Sequence, residues 1–179
     1  MSLGIAVLTV SDTRTLLDDK SGNLLVERIA RDGHRLAARV IRSDDRYGIR
    51  AQLGNWLIDE SVDVVIITGG TGLTGRDLVP EAVRPLLDRV TDGFGELFRW
   101  LSYADIGTSA IQSRAFAGSA NGRLVFCLPG SRGACELAWD QIIGKQLDTA
   151  TQPCNLVDLI PRMRESADVP AGKRPSKRD

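Results

Sequence analysis

The amino-acid sequence predicts an α/β fold in which helices cover both faces of a mostly parallel β-sheet. Strand-like and helix-like segments alternate along the chain, as they do in βαβ units. Residues 4–10 and 62–68 are apolar runs without polar alternation, which is typical of parallel strands buried on both faces. The pair Asn121-Gly122, between two further strand-like segments, is a strong hairpin signal. One antiparallel element is therefore expected, near an edge of the sheet.

Capping residues and apolar spacing place the individual elements. Those up to the central glycine-rich turn are, in order, a strand over residues 4–10, a helix capped by Ser21 and ended by Gly33, a strand over 36–41, a helix capped by Ser43, Asp44 or Asp45, and a strand over 62–68. Those after the turn are a helix that starts at Pro80, a helix over about 95–103, strands over 114–118 and 124–128, and a helix capped by Ser131.

Composition and charge narrow the class of protein. The chain has 179 residues, 42% of them hydrophobic, which suits one globular domain with a core of useful size. Lys and Arg total 23 and Asp and Glu total 23, and this zero net charge argues against a nucleic-acid binder. No apolar run is long enough to span a membrane and no signal peptide is evident, so we expect a cytoplasmic protein. We expect residues 1–165 to form the domain and the polar residues 166–179 to form a disordered tail.

The scarcity of histidine and cysteine limits the metal sites and catalytic groups that the protein can use. His34 is the single histidine, which excludes a zinc site with several histidine ligands. Cys127, Cys135 and Cys154 are odd in number and form no C-x-x-C pair, so we expect buried, reduced thiols. Catalysis would therefore depend on carboxylates, hydroxyls, backbone amides or a metal ion.

The most informative segment is the glycine-rich turn TGGTGLTGRD, residues 68–77, which follows the third predicted strand. Gly70, Gly72 and Gly75 fit the dinucleotide-binding pattern G-x-G-x-x-G. That pattern belongs to a first βα unit, however, and needs an acid about 20 residues further on, which this chain lacks. Asp77 would repel a pyrophosphate unless a cation lay between them. We therefore expect the backbone amides of the turn to approach an anionic ligand and Asp77 to hold Mg²⁺ against it.

Further polar residues are predicted at the same edge of the sheet. Ser11 and Asp12 follow the first strand, and Asp44 follows the second. Ligands of open α/β sheets bind where the parallel strands end, so these side chains can converge with Asp77 on one crevice. A turn or helix-capping role is the alternative for each of them.

Two segments later in the chain add candidates. The turn Pro129-Gly130-Ser131 leads into the last helix, whose N-terminal amides attract anions, although Ser131 could serve only as a cap. Ser113 and Arg114 begin a predicted strand. Arg114 could bind a phosphate or another ligand oxygen, and a surface ion pair is the alternative.

Five sequence segments carry a family resemblance. In chain order they are VLTVSDTR, SDDRYGIR, ITGGTGLTGRD, GFGELFRWLSYADIGTSAIQSRA and CLPGSRGAC, and they resemble the MoaB/MogA family of molybdenum-cofactor biosynthesis proteins. The resemblance covers about residues 3–160. It is closer to MoaB than to MogA through DDRYGIRAQ, IGTSAIQSR and QPCN.

The resemblance implies a fold, an assembly and an activity. The fold is a three-layer α/β/α sandwich with a largely parallel sheet, and the assembly is a homotrimer or a hexamer. The ligand is molybdopterin, a pterin that carries a dithiolene and a phosphate. Active members bind Mg²⁺ and ATP, transfer AMP to the molybdopterin phosphate and release pyrophosphate. The adenylylated product then serves the insertion of molybdenum or tungsten, which implies a metal-insertion protein as a partner.

The family's functional positions map onto this chain by motif. Asp44 and Asp77 match two acidic positions tied to activity, although the adjacent Asp45 could take the place of Asp44. The glycine loop that holds the phosphate end of the pterin matches Gly69, Gly70, Thr71 and Gly72. The other pocket-lining segments match Ser11, Asp12, Ser113, Pro129, Gly130 and Ser131.

Two alternatives to an enzyme of this kind remain open. Some MoaB-type proteins bind the pterin or pathway proteins without catalysing adenylylation, so a molybdopterin-binding or scaffold protein is the main alternative. A weaker one is the related fold of CinA-type proteins that act on nicotinamide nucleotides. Their glycine loop is followed by a paired acid, whereas this chain has Arg76-Asp77.

Overall fold

The structure, a computed structural model, describes residues 1–163. The strands of the described part are β1 (Gly4–Val10), β2 (Arg35–Arg42), β3 (Val64–Thr68), β4 (Arg89–Thr91), β5 (Phe116–Ala120) and β6 (Arg123–Leu128). They form one sheet in the order β2-β1-β3-β6-β5-β4. The tail predicted over residues 166–179 lies outside the described residues.

The direction of the strands confirms the predicted sheet. Strands β2, β1, β3 and β6 run parallel, so their carboxyl ends meet at one edge of the sheet. Strand β5 runs the opposite way between β6 and the edge strand β4. The turn from β5 to β6 has Asn121 at a φ of 45° and Gly122 at 72°. Both values lie in the left-handed region that a two-residue hairpin turn of type I′ requires.

Helices cover the two faces of the sheet. Their bounds are α1 (Lys20–Arg31), α2 (Arg46–Ile58), α3 (Val79–Val83), α4 (Asp92–Ile106), α5 (Arg132–Ala138), α6 (Gly144–Gln146) and α7 (Ile160–Met163). Segments of 3₁₀ helix cover Arg84–Leu86, Gly107–Gln112 and Val157–Leu159, and a π-helical turn, Trp139–Ile143, joins α5 to α6.

Two apolar cores attach these helices, one on each face of the sheet. Successive side chains of a strand point to opposite faces. Ile66 of β3 therefore packs in the core that contains the buried side chains of α1, α4 and α5, and its neighbour Ile67 packs in the core of α2 and α3. Trp139 is buried in the first core and Trp56 in the second. This arrangement confirms the α/β/α sandwich.

The structure differs from the sequence prediction at the start of α1. Asp19, rather than Ser21, caps this helix by accepting a hydrogen bond from the amide of Gly22 at 2.9 Å. The hydroxyl of Ser21 instead donates to the carbonyl oxygen of Gly130 at 2.8 Å and so ties α1 to the loop after β6. The predicted cap by Ser131 is confirmed, because its hydroxyl oxygen accepts from the amide of Ala134.

Cys154, which was expected to be buried, is exposed, and so is Trp100. Trp100 lies on the outer face of α4, and Cys154 lies in the segment after α6. Cys127 and Cys135 are buried as expected, and burial raises the pKa of Cys135 to about 11, so its thiol stays neutral.

Within residues 1–163, no helix is long and apolar enough to cross a membrane.

Candidate ligand-binding site

A cavity of about 740 Å³ opens at the carboxyl ends of β1, β3 and β6. Crevices at this edge of open α/β sheets are the usual place for ligands. The sequence-predicted residues that line it are Ser11, Gly69, Gly70, Thr71, Gly72, Asp77, Ser113, Pro129, Gly130 and Ser131. Asp12, Asp44 and Arg114 lie outside its wall.

The glycine loop, defined here as residues 69–72, forms the floor of the cavity and requires glycine at its start. Gly69 has a φ of 100° and Gly70 a φ of 61°. A Cβ atom on Gly69 would lie 2.2 Å from the carbonyl oxygen of Val10, which is too close for any side chain. Among the described residues, the amides of Gly70 and Thr71 donate to no protein acceptor. The loop can therefore offer backbone donors to an anionic ligand.

Arg114 supports the glycine-rich turn through three hydrogen bonds. Its Nε donates to the carbonyl oxygen of Gly72 and its Nη2 to that of Asp77, both at 2.7 Å. Its backbone amide donates to Thr71 at 3.1 Å. Its Nη1 forms an ion pair with Glu81. These contacts place Arg114 as a support of the loop, outside the cavity.

Asp77 is the carboxylate that lies beside the glycine loop in the cavity. Its Oδ2 accepts hydrogen bonds from the amide of Thr74 at 2.8 Å and from the hydroxyl of Thr74 at 2.6 Å. Burial raises the pKa of Asp77, but the bonds from Thr74, the amide of Gly72 and the charge of Arg114 outweigh it, and the pKa falls below its ordinary value. Asp77 is therefore ionised at neutral pH.

Asp44 lies against the far side of the glycine loop. Its Oδ1 accepts from the amide of Leu78 at 3.1 Å, and its Oδ2 lies 2.6 Å from the position that a Cβ atom on Gly70 would occupy. Burial raises the pKa of Asp44, and the nearby carboxylates of Asp77 and Asp12 add to the rise. The structure thus places two acids of opposite pKa shift around one loop.

The structure also distinguishes Asp44 from its neighbour. Asp45 caps α2 by accepting from the amide of Gly48 and takes no part in the cavity wall. The amide of Asp44 donates to Oδ1 of Asp12 at 3.2 Å, and Asp12 forms an ion pair with Arg76. Asp12 therefore links the loops that follow β1 and β2 to the glycine-rich turn.

One wall of the cavity was not predicted from the sequence. It is built by α4 and the 3₁₀ segment after it, with the lining residues Phe98, Ser102, Asp105, Ile106, Ser109, Ala110 and Gln112. Arg14, in the loop after β1, also lines the cavity and was not predicted. The missed wall combines apolar and hydrogen-bonding groups, which is typical of a site for a small organic ligand.

The donor set around the loop suits a magnesium ion that arrives with a phosphate ligand. Within the described part of the chain, no three His, Cys, Asp or Glu side chains are grouped so as to hold a metal ion by themselves. Mg²⁺ is commonly bound through one or two carboxylates plus the phosphate oxygens of a substrate. The ionised Asp77 on the cavity wall meets that requirement.

The fold and the cavity define a small-molecule-binding α/β protein with a site built from backbone donors and carboxylates. The sequence profile of a domain family described as "Probable molybdopterin binding domain" matches residues 6–149. The chain belongs to this family, the MoaB/MogA family of molybdenum cofactor biosynthesis proteins.

Individual relatives agree with this assignment. The chain is 52% identical over 151 residues to molybdenum cofactor biosynthesis protein B of Escherichia coli strain K12, a match that covers 84% of this chain and 89% of the relative. A crystal structure of molybdenum cofactor biosynthesis protein B matches with a TM-score of 0.80 at 44% identity, over 82% of this chain and 92% of the other. The tungsten cofactor synthesizing protein MoaB from Pyrococcus furiosus matches with a TM-score of 0.75 at 31% identity, over 92% of this chain and 98% of the other.

Proposed function

We propose that this protein binds molybdopterin in the cavity and transfers an adenylyl group to it from ATP, ahead of metal insertion. The observation that carries the proposal is the position of the ionised Asp77 beside the glycine loop, whose Gly70 and Thr71 amides have no protein acceptor among the described residues. Backbone donors can hold a phosphate, and a carboxylate at the same place can hold the cation of a second phosphate ligand.

The proposed reaction needs no strong base. An ionised oxygen of the molybdopterin phosphate attacks the α-phosphorus of ATP and forms a new P–O–P bond. The bond from the α-phosphorus to its bridging oxygen breaks, and pyrophosphate leaves with the electron pair. Transfers of this kind depend on positioning and on charge neutralisation. Mg²⁺ bound with ATP supplies part of that neutralisation, and Asp77 would hold it.

In the proposal, some of the other residues bind the ligand and some support the loops around it. The glycine loop binds the pterin phosphate, and the serine hydroxyls of Ser11, Ser113 and Ser131 lie on the wall where they can bond the ligand. Asp44 adds negative charge next to the loop. In this proposal Asp12 and Arg114 support the loops, since their side chains bond to protein groups.

The test is ATP-dependent release of pyrophosphate when molybdopterin is added. We expect release by the wild type and at least about 100-fold slower release by Asp77→Asn, which keeps the shape and the Thr74 bonds but loses the charge. Asp92→Asn, at the exposed start of α4, is the matched control and should release pyrophosphate at the wild-type rate. Equal rates for the wild type and Asp77→Asn would refute the metal role. Tight molybdopterin binding without release would favour the binding or scaffold protein.

We further propose that the protein forms a homo-oligomer, a trimer or a hexamer. Large apolar side chains are exposed along α4 and the segment that follows it: Leu97, Trp100, Tyr103, Ile106 and Ile111. Large exposed apolar side chains that are concentrated on one segment support an interaction surface there. The proposal places the protein in the cytoplasm, where its three free cysteines would remain reduced, with a metal-insertion protein as the receiver of the product.

A further inference from the structure

One cation lines the cavity among the residues that the structure describes, and it is Arg14. The other two charged lining residues, Asp77 and Asp105, are carboxylates. The side chains of the wall therefore carry a net negative charge, although phosphate ligands need donors and positive charge. The amides of the glycine loop can serve one phosphate. Arg14 is the lining side chain with the charge to serve another.

The guanidinium of Arg14 is fixed at one nitrogen and open at the others. Its Nη1 donates to the carbonyl oxygen of Gly130 at 3.2 Å and to the hydroxyl of Ser21 at 3.3 Å. Among the described residues, no acceptor bonds to its Nε or Nη2, and the side chain is 36% exposed. An arginine held in this way presents the remaining part of its planar fork to an incoming anion.

A buried carboxylate, Asp19, is shared between Arg14 and a second arginine. Asp19 is fully buried, and its Oδ1 lies 3.7 Å from Nη1 of Arg14. The other oxygen of Asp19, Oδ2, pairs with the guanidinium of Arg39 at 3.0 Å and accepts from the hydroxyl of Thr9 at 2.7 Å. Arg39 is the closer cation, and one carboxylate cannot neutralise two guanidinium groups, so net positive charge remains. The charge of Arg14 stays available to a ligand.

We propose that Arg14 binds an anionic phosphate group of the ligand on the side of the cavity formed by Pro129, Gly130 and Ser131. This inference rests on the proposed function, which supplies the class of ligand. The phosphate of molybdopterin and the triphosphate of ATP offer the same chemistry to Arg14, so the experiment measures the two ligands separately.

The test is the affinity of Mg-ATP and of molybdopterin, each titrated alone by calorimetry into the wild type, R14Q and R14K. R14Q should raise the Kd for at least one ligand by about 10- to 100-fold, because a charged hydrogen bond is lost. The ligand that is affected identifies the phosphate that Arg14 binds. R14K keeps the charge and loses the fork, so its loss should be smaller. In R14Q the affected Kd should also respond less to salt, which loss of a structural contact alone does not produce.

The matched control is R132Q, because Arg132 is exposed, follows Ser131 and does not belong to the cavity wall. R132Q should bind both ligands as the wild type does. Unchanged affinities in R14Q, or an equal loss in R132Q, would overturn the role of Arg14. If thermal melts show that R14Q is unfolded, R14K decides: a higher Kd for one ligand supports the role of Arg14, and unchanged values for both overturn it. A wild type that binds neither ligand overturns both proposals, whereas binding without pyrophosphate release overturns only the adenylyl transfer.

Discussion

Oδ1 of Asp44 accepts a hydrogen bond from the backbone amide of Leu78, with 3.1 Å between the two atoms. The bond joins the loop after β2 to the segment that carries Asp77. Burial nevertheless raises the pKa of Asp44 above its ordinary value of 3.8. The folded protein therefore binds this proton more tightly than the unfolded chain does, and an ionised Asp44 lowers the free energy of unfolding at neutral pH.

We expect Asp44→Asn to stabilise the protein near neutral pH, because asparagine keeps the acceptor for Leu78 and removes the partly buried charge. The Tm should rise by no more than about 3 °C, since solvent screens a half-buried group. The gain should vanish as the pH falls through the raised pKa of Asp44 towards 3.8, where the wild-type carboxyl is itself neutral. Thermal melts between about pH 4 and pH 8 measure this. A variant less stable than the wild type at neutral pH would contradict it.

Gly69→Ala should destabilise the protein by at least about 2 kcal/mol, because the residue has a φ of 100° and a Cβ atom would strike the backbone of Val10. Gly75→Ala is the control within the same turn. A Cβ atom on Gly75 would meet nothing within 4 Å, and the residue has no positive φ. Urea denaturation compares the two variants, and equal midpoints would contradict the requirement for glycine at position 69.

Asp19→Ala should cost about 3–5 kcal/mol of unfolding free energy. The change leaves Arg39 without its buried partner and removes the cap of α1. Asp18→Ala is the neighbouring control, since the side chain of Asp18 is exposed and bonds only to Thr15 among the described residues. The control should lose much less stability in the same denaturant titration. Similar losses in both variants would show that the buried pair contributes little.

Trp100→Glu should shift the protein to a smaller assembly, because a charge in the middle of an apolar interface is costly to desolvate. Light scattering after size-exclusion chromatography measures the mass of the assembly. Tyr47→Glu is the control, since Tyr47 on α2 is 71% exposed, as Trp100 is, but lies on the other face of the sheet. An unchanged mass for Trp100→Glu would place any interface elsewhere.

The sequence was sufficient for the parts of the fold that depend on local pattern. The buried strands, the Asn121-Gly122 hairpin and the cap by Ser131 each follow from a run or a pair of residues, and the structure contains all three. Strand β4 was missed because three residues are too few to show a period of two. The exposure of Trp100 was not predictable either, because helical spacing cannot tell a core face from a face turned outward.

The residues of the site were likewise predictable only where they depend on local sequence. The glycine loop and Asp77 adjoin one strand, so their proximity was predictable from the chain alone. Asp19 caps α1 in place of Ser21. Its side chain also bonds to Thr9 of β1 and Arg39 of β2, and these contacts between distant segments are not visible in the local sequence. The α4 wall was missed for a similar reason, because a serine or aspartate in an amphipathic helix gives no sign of the cavity it will face.

The bonding of the glycine-rich turn has a consequence for how a ligand is selected. Arg114 and the amide of Val79 together occupy the carbonyl oxygens of four residues, namely Gly70, Thr71, Gly72 and Asp77. Because these carbonyl oxygens already accept hydrogen bonds, the turn is biased towards hydrogen-bond donation. Backbone amides do not titrate in the physiological range, so this part of the protein is the same at every such pH. The pH dependence of phosphate capture by the turn should therefore follow the ionisation of the phosphate itself.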